Sequence, residues 1–149
     1  MNIQKGIIEA ISISKRKGVA KTNVPLASLR EDWGIEGDAH AGKWHRQVSL
    51  LASESVNKMR RMGATVGPGD FAENLTINGL DLLRLGIGDR LQCGEAELEI
   101  TQIGKTCHNR CAIYQAVGDC VMPREGVFAR VVRGGTLRIG MEIIAISPR

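Results

Sequence analysis

Cys107 and Cys111 lie in the stretch Gly104-Lys105-Thr106-Cys107-His108-Asn109-Arg110-Cys111, and Cys120 follows just before Met122-Pro123-Arg124-Glu125-Gly126. Three of the four cysteines thus fall within fourteen residues, interleaved with Lys105, His108, Arg110 and Arg124. Thiolate is the reactive form of cysteine, and nearby positive charge favours it. Such a thiolate serves as a nucleophile or as a ligand for a soft metal. Four-residue spacing on a helix would put Cys107 and Cys111 on one face, so that one thiol could release a group carried by the other through disulfide formation. The competing reading is that one or both are small buried hydrophobes. Cys93 falls in an apolar strand and is expected to be structural, while Cys120 is open between a resolving thiol and packing.

The same segment offers a second chemistry. Cys107, His108, Cys111 and Cys120 make up a Cys₃His donor set suited to zinc. Their spacing lacks the paired arrangement of zinc ribbons, so a zinc-stabilised, non-enzymatic binding module stands as the alternative.

Two glycine-rich segments carry the other candidates, Gly34 to Gln47 and Gly67 to Asn74. Loops of this length in a compact domain are usually functional. In the first, His40, His45 and Arg46 are read as pocket residues, with histidine able to exchange protons near neutral pH. Asp38 is equally suited to holding the loop through side-chain to backbone bonds. In the second, Glu73 and Asn74 either line the site or satisfy backbone groups in a turn. Arg124 and Arg130 could clamp a phosphate, a role that planar guanidinium suits. A solvated, outward Arg130 is the equal alternative. Gly37 to Gly42 lacks the lysine and helix-opening glycines of a phosphate loop, so nucleotide hydrolysis is not expected.

Positioning these residues falls to short strands. Apolar runs punctuated by glycine predict strands at Gly6–Ser14, Val48–Leu51, Leu75–Ile77, Arg90–Cys93, Ala96–Ile103, Val127–Val132 and Glu142–Ile146. The clearest hairpin joins the fourth and fifth of these through Gly94-Glu95. Ser53–Met62 reads as a helix with a serine N-cap, an early acid and a basic last turn. His108–Val117 reads as a second. Many short strands with few helices predict a mainly β, closed or nearly closed β-barrel, which also removes exposed edges.

The 149 residues are read as one domain, long enough to bury about 70% of the unfolded chain's surface. No apolar segment of signal-peptide or membrane-spanning length is present, so a cytoplasmic protein without a membrane partner is expected. Thiols stay reduced there, which favours catalysis or metal binding over disulfides. The net charge of +4 suits an anionic small ligand or an acidic partner. With aromatics at 3% and no dense basic stripe, nucleic acid is not an expected partner.

Taken in order, Gly37-Asp38-Ala39-His40-Ala41-Gly42 with Arg46-Gln47-Val48-Ser49, then Pro68-Gly69-Asp70-Phe71-Ala72-Glu73-Asn74-Leu75-Thr76, Ile87-Gly88-Asp89-Arg90-Leu91 and the cysteine segment resemble the MOSC domain. This module ends molybdenum cofactor sulfurases and also stands alone in bacteria. Ala72 departs from the pattern, which usually has glycine there, and its methyl group would narrow the turn. The resemblance implies a barrel like the β-barrel domain of pyruvate kinase. It also implies a sulfur carrier or transfer protein of molybdenum cofactor (molybdopterin) metabolism. Sulfane sulfur would be held as a persulfide on Cys107 or Cys111, in a pocket lined by His40, Arg46, Arg110 and Arg124. Either cysteine is alternatively a molybdenum ligand, in a sulfurtransferase-like protein or a reductase of N-hydroxylated bases or amidoximes. The implied partners are a cysteine desulfurase or other sulfur donor, and the cofactor or a molybdoenzyme acceptor. Pyridoxal phosphate belongs only to a separate partner enzyme, since no segment here resembles a desulfurase.

Overall fold

A computed structural model describes residues 1–105 and 120–148. Seven strands close into a barrel, so the mainly β architecture expected from the glycine-punctuated runs is found. Round the barrel they are β1 (Asn2–Ile13), β6 (Leu75–Asn78), β5 (Val48–Ala52), β9 (Val127–Arg133), β8 (Ala96–Ile103), β7 (Arg90–Cys93) and β11 (Glu142–Ser147), which returns to β1. The first strand is long enough to pair with β11 over its first half and with β6 over its second, and this double pairing closes the ring. Gly6 permits it, because a Cβ there would lie 2.7 Å from the Asn78 carbonyl oxygen.

Every barrel seam is antiparallel except β5 to β6. A parallel pair needs a long crossover. Here it contains α1 (Ser53–Arg61) and the second glycine-rich segment. The interior is filled by aliphatic side chains such as Ile8, Leu50, Leu75, Leu91, Leu98 and Val131. A second cluster lies under α1, where Leu51, Val56, Met59 and Phe71 meet Cys120, Val121, Met122 and Phe128. Cys120 is therefore buried among apolar groups. Cys93 is fully buried, and desolvation pushes its thiol up to about 12, so it packs rather than reacts.

Sequence reading missed four short strands. They are β2 (Thr22–Val24), which extends the sheet beyond β1, and β3 (Leu26–Arg30), β4 (Gly34–Ile35) and β10 (Gly135–Arg138), which form a separate three-stranded sheet. Two of them begin at glycines, Gly34 at the head of the segment read as a loop and Gly135 in a Gly-Gly pair that reads as punctuation. Observed boundaries also correct the capping of α1. Its N-cap is Ala52 with no side-chain bond, while Ser53 is the first helical residue and its hydroxyl donates to Glu54. The Gly94-Glu95 hairpin has the expected register, Cys93 opposite Ala96. A four-residue α2 (Met122–Glu125) leads into β9. The helix expected over 108–117 lies outside the described residues.

Candidate functional site

The first glycine-rich segment folds as a loop docked on the barrel rim. Its backbone is fixed by Ala39 N–H to the Ser14 carbonyl (2.8 Å), Gly42 N–H to the Trp33 carbonyl (2.8 Å) and the Trp44 indole N–H to the His40 carbonyl (2.7 Å). Gln47, fully buried, accepts from Val131 N–H at 2.8 Å and donates to Asp32 at 3.1 Å, anchoring the loop's exit. The far side of the loop meets the end of β8. There Thr101 is an extra residue in the β8–β9 register, which shifts between Ile100 and Gln102. Bulges of this kind re-aim side chains beside active sites. The Thr101 hydroxyl lies in hydrogen-bond contact with the His45 and Phe128 carbonyls, and His45 Nε2 is 2.8 Å from Gln102 Oε1.

This docking brings His40, His45 and Arg46 to the start of the cysteine segment. The segment's flanks are drawn together as well: Gly104 N–H reaches the Gly126 carbonyl at 2.6 Å, and Lys105 N–H the Pro123 carbonyl at 2.9 Å. Cys107, His108, Arg110 and Cys111, and with them three of the four donors of the zinc alternative, lie outside the described residues. Among the described residues no cluster of three or more His, Cys, Asp or Glu has metal-ligand geometry.

Arg46 lies over two rings, its guanidinium carbon 4.8 Å from the Trp44 centroid and 5.5 Å from that of Phe128. Its Nε is buried and finds no hydrogen-bond partner among the described residues. Such an orphan donor is costly unless something accepts from it. Lys17 Nζ lies 4.6 Å from the same Trp44 ring. His40 stacks on Trp44 at 6.3 Å with an interplanar angle of 6°. The result is an aromatic platform edged by cations, suited to an anionic or acceptor-bearing ligand.

His40 rests on two residues that play different parts in the sequence reading. Asp38 was a candidate loop anchor; Lys21 was not foreseen. Asp38 Oδ1 accepts from Lys21 Nζ (2.8 Å) and Ser14 N–H (3.1 Å), and Oδ2 from His40 N–H (3.0 Å). Burial alone would raise the Asp38 pKa, but the hydrogen bond and charge of Lys21 and the two backbone donors together hold it below its ordinary value. Burial, then the charge of Lys21, push His40 down from 6.5 to about 4, with Lys17 and Lys105 adding to Lys21 and Asp38 opposing. The imidazole is therefore outside the range expected of a proton shuttle at neutral pH. Nothing local in the sequence pairs Lys21 with Asp38; the barrel does.

Glu73 and Asn74 are fully buried in the crossover and bonded to the framework. Glu73 accepts from Phe71 N–H (3.2 Å) and the Thr76 hydroxyl (2.9 Å), and desolvation raises its pKa. Asn74 accepts from Ser49 N–H (2.9 Å) and donates to the Ser12 carbonyl (3.1 Å), tying β6 to β5 and β1. Arg124 is half exposed on α2, with Nη2 3.9 Å from Glu125. Arg130 donates to Glu99 at 2.7 Å across β8 and β9, beside a second pair of Arg90 with Glu97, in a partly exposed cross-strand ladder. Ala72 has φ 63°. Its departure from glycine is thus felt in the backbone angle as well as in the methyl group's volume.

The MOSC domain family model matches residues 37–144. The chain belongs to the MOSC domain family. Membership assigns it, in general terms, to molybdenum-cofactor-related functions that use sulfur or bind the cofactor. The MOSC chain is similar in fold to the YuaD protein of Bacillus subtilis, with a TM-score of 0.83 at 20% identity over 99% of both chains. It is also similar to YiiM of Escherichia coli, with a TM-score of 0.66 and 18% identity over 96% of this chain and 71% of that one. YiiM of Geobacillus stearothermophilus gives 0.69 and 21% over 98% and 76%. No curated protein matches the sequence. Among the described residues no helix is long and apolar enough to cross a membrane.

Proposed function

We propose that this MOSC protein accepts sulfane sulfur on Cys107 or Cys111 and delivers it to a molybdenum–pterin centre. The cysteine thiolate attacks the outer sulfur of a donor persulfide, forming a new S–S bond. The donor's own S–S bond breaks, and the donor departs as a thiolate. The donor is a separate cysteine desulfurase, whose pyridoxal phosphate stays with it.

What supports this reading is the docking of the His40–Arg46 loop against the end of β8, beside Lys105, where the cysteine segment begins. The buried Arg46 Nε, which has no hydrogen-bond partner among the described residues, fits an anionic cofactor. Arg46, His45, Arg110 and Arg124 would hold the pterin group, with Cys107 or Cys111 as the thiolate facing molybdenum. That group, when bound, supplies the metal centre that takes up sulfur. Glu73 and Asn74 act behind this surface by fixing the crossover.

The test is anaerobic incubation with a cysteine desulfurase and free cysteine, followed by alkylation and peptide mass spectrometry. A persulfide confined to Cys107 or Cys111, and lost in the matching Cys→Ala variant, is expected. Its absence from all four cysteines overturns the reading.

A further inference from the structure

We infer that Lys21 is a positioning residue that fixes His40 as a neutral imidazole with its proton on Nε2, so that the ligand atom His40 meets is a hydrogen-bond acceptor. This rests on the reading of the His40–Arg46 loop as the site.

An ammonium group has three protons and no lone pair. Lys21 Nζ has three acceptors within reach: Asp38 Oδ1 at 2.8 Å, Ser14 Oγ at 2.9 Å and His40 Nδ1 at 3.0 Å. The Ser14 hydroxyl gives its own proton to the Arg16 carbonyl at 2.8 Å, which leaves its lone pairs for Lys21. All three ammonium protons are thus used, and Nδ1 must accept. In neutral imidazole the proton then sits on the other nitrogen. The opposite tautomer, or a doubly protonated ring, would set an N–H against an N–H.

Asp38 does not relieve that conflict. Its Oδ2 already accepts the His40 backbone N–H and lies 3.9 Å from Nδ1, too far for a hydrogen bond. The other charged groups facing the ring, Lys17 and Lys105, also oppose a second proton. Lys21 has little freedom to withdraw. Its side chain is fully buried, and its N–H bonds to the Gly69 carbonyl at 2.8 Å. Gly69 is required at that contact, since a Cβ would come within 2.5 Å of the Lys21 carbonyl oxygen at a φ of +92°.

The chemical consequence is one of polarity. His40 offers the site an N–H and withholds a basic nitrogen, which suits a thiolate, a persulfide or an anionic oxygen better than a group awaiting deprotonation. Lys21 lies before residues 37–144, the part matched by the family model. The residue that sets the role of His40 thus comes from outside the recognised motif.

The test is ¹⁵N NMR of the histidine rings in the full chain, with His40 assigned by its loss in His40→Gln. The expected spectrum has Nδ1 unprotonated and Nε2 protonated, unchanged from about pH 8 to about pH 5. Lys21→Met removes the opposing ammonium and leaves Asp38 beside the ring. His40 should then titrate clearly above the value of about 4 that it has with Lys21 in place, with burial still opposing the charged ring. A wild-type His40 that titrates near neutrality, or carries its proton on Nδ1, overturns the inference; so does an unchanged His40 in a folded Lys21→Met. If that variant does not fold, the wild-type tautomer still decides. None of these spectra needs a sulfur donor, so they stand or fall separately from persulfide transfer.

Discussion

The two glycine-rich segments each bury a polar network, and the networks differ in what they leave over. Around Asn74 and Glu73, the recorded bonds of the side chains join strands and close a turn. Around Lys21 and Asp38, the same density of bonds ends at His40, whose side chain keeps 21% of its exposure and a second ring nitrogen. Arg46 nearby holds a buried donor without a partner among the described residues. A buried polar group whose bonding capacity is filled by the framework is structural. One that the framework orients but does not saturate is where a ligand fits.

The comparison breaks most directly by mutation. Lys21→Met strands the Asp38 carboxylate in the interior and should cost about 3–5 kcal/mol in urea unfolding. Adding Asp38→Asn should restore part of that, because the damage is an unpaired charge and not lost volume. Asn74→Ala should cost about 3 kcal/mol through unsatisfied backbone groups of β1 and β5. It should leave the His40 tautomer untouched. If Asn74→Ala shifts that tautomer, the two networks are not separate.

A smaller, sharper contrast lies in pH. Asp38 is depressed, so its contribution is present above the ordinary carboxylate range and is lost as pH falls through its folded value. His40 acts with the same sign: between 6.5 and about 4 the unfolded chain binds a proton that the folded one refuses, so stability falls as pH falls through that window. Glu73 is raised above 4.5, so its contribution is full below that value and is lost as pH rises through its folded value. Unfolding free energies measured from about pH 7 to about pH 4 should therefore lose part of their slope in His40→Gln. Glu73→Gln should remove a component of the opposite sign. The smallest effect is expected at Ala72, where φ is 63°. Replacement by glycine should stabilise by about 1 kcal/mol, as relief of left-handed strain outweighs the added chain entropy. A loss of stability there would show that the methyl group packs usefully.

Much of the barrel was legible in the chain. Alternating apolar runs such as Ala96–Ile103, and the Gly94-Glu95 turn, depend on period and turn chemistry that neighbours along the sequence supply. The missed strands are the ones whose pattern is set by distant partners. Gly34–Ile35 is two residues long and is a strand only because Leu29 and Arg30 lie beside it. Ser53 failed as a cap for a related reason: the chain enters the helix one residue earlier, where β5 ends.

For the site, sequence alone determined the residue types: thiols among cations, His40 and Arg46 in a glycine-rich loop, and the order of motifs that marks the family. It favoured His40 as a pocket residue and left Glu73 open between lining the site and satisfying a turn. Only the tertiary structure decided which was enclosed and which kept part of its exposure. It alone placed Lys21 against His40 Nδ1 at 3.0 Å across 19 positions of chain. Protonation depends on burial and on charges within a few ångströms, and those distances exist only once the barrel has closed.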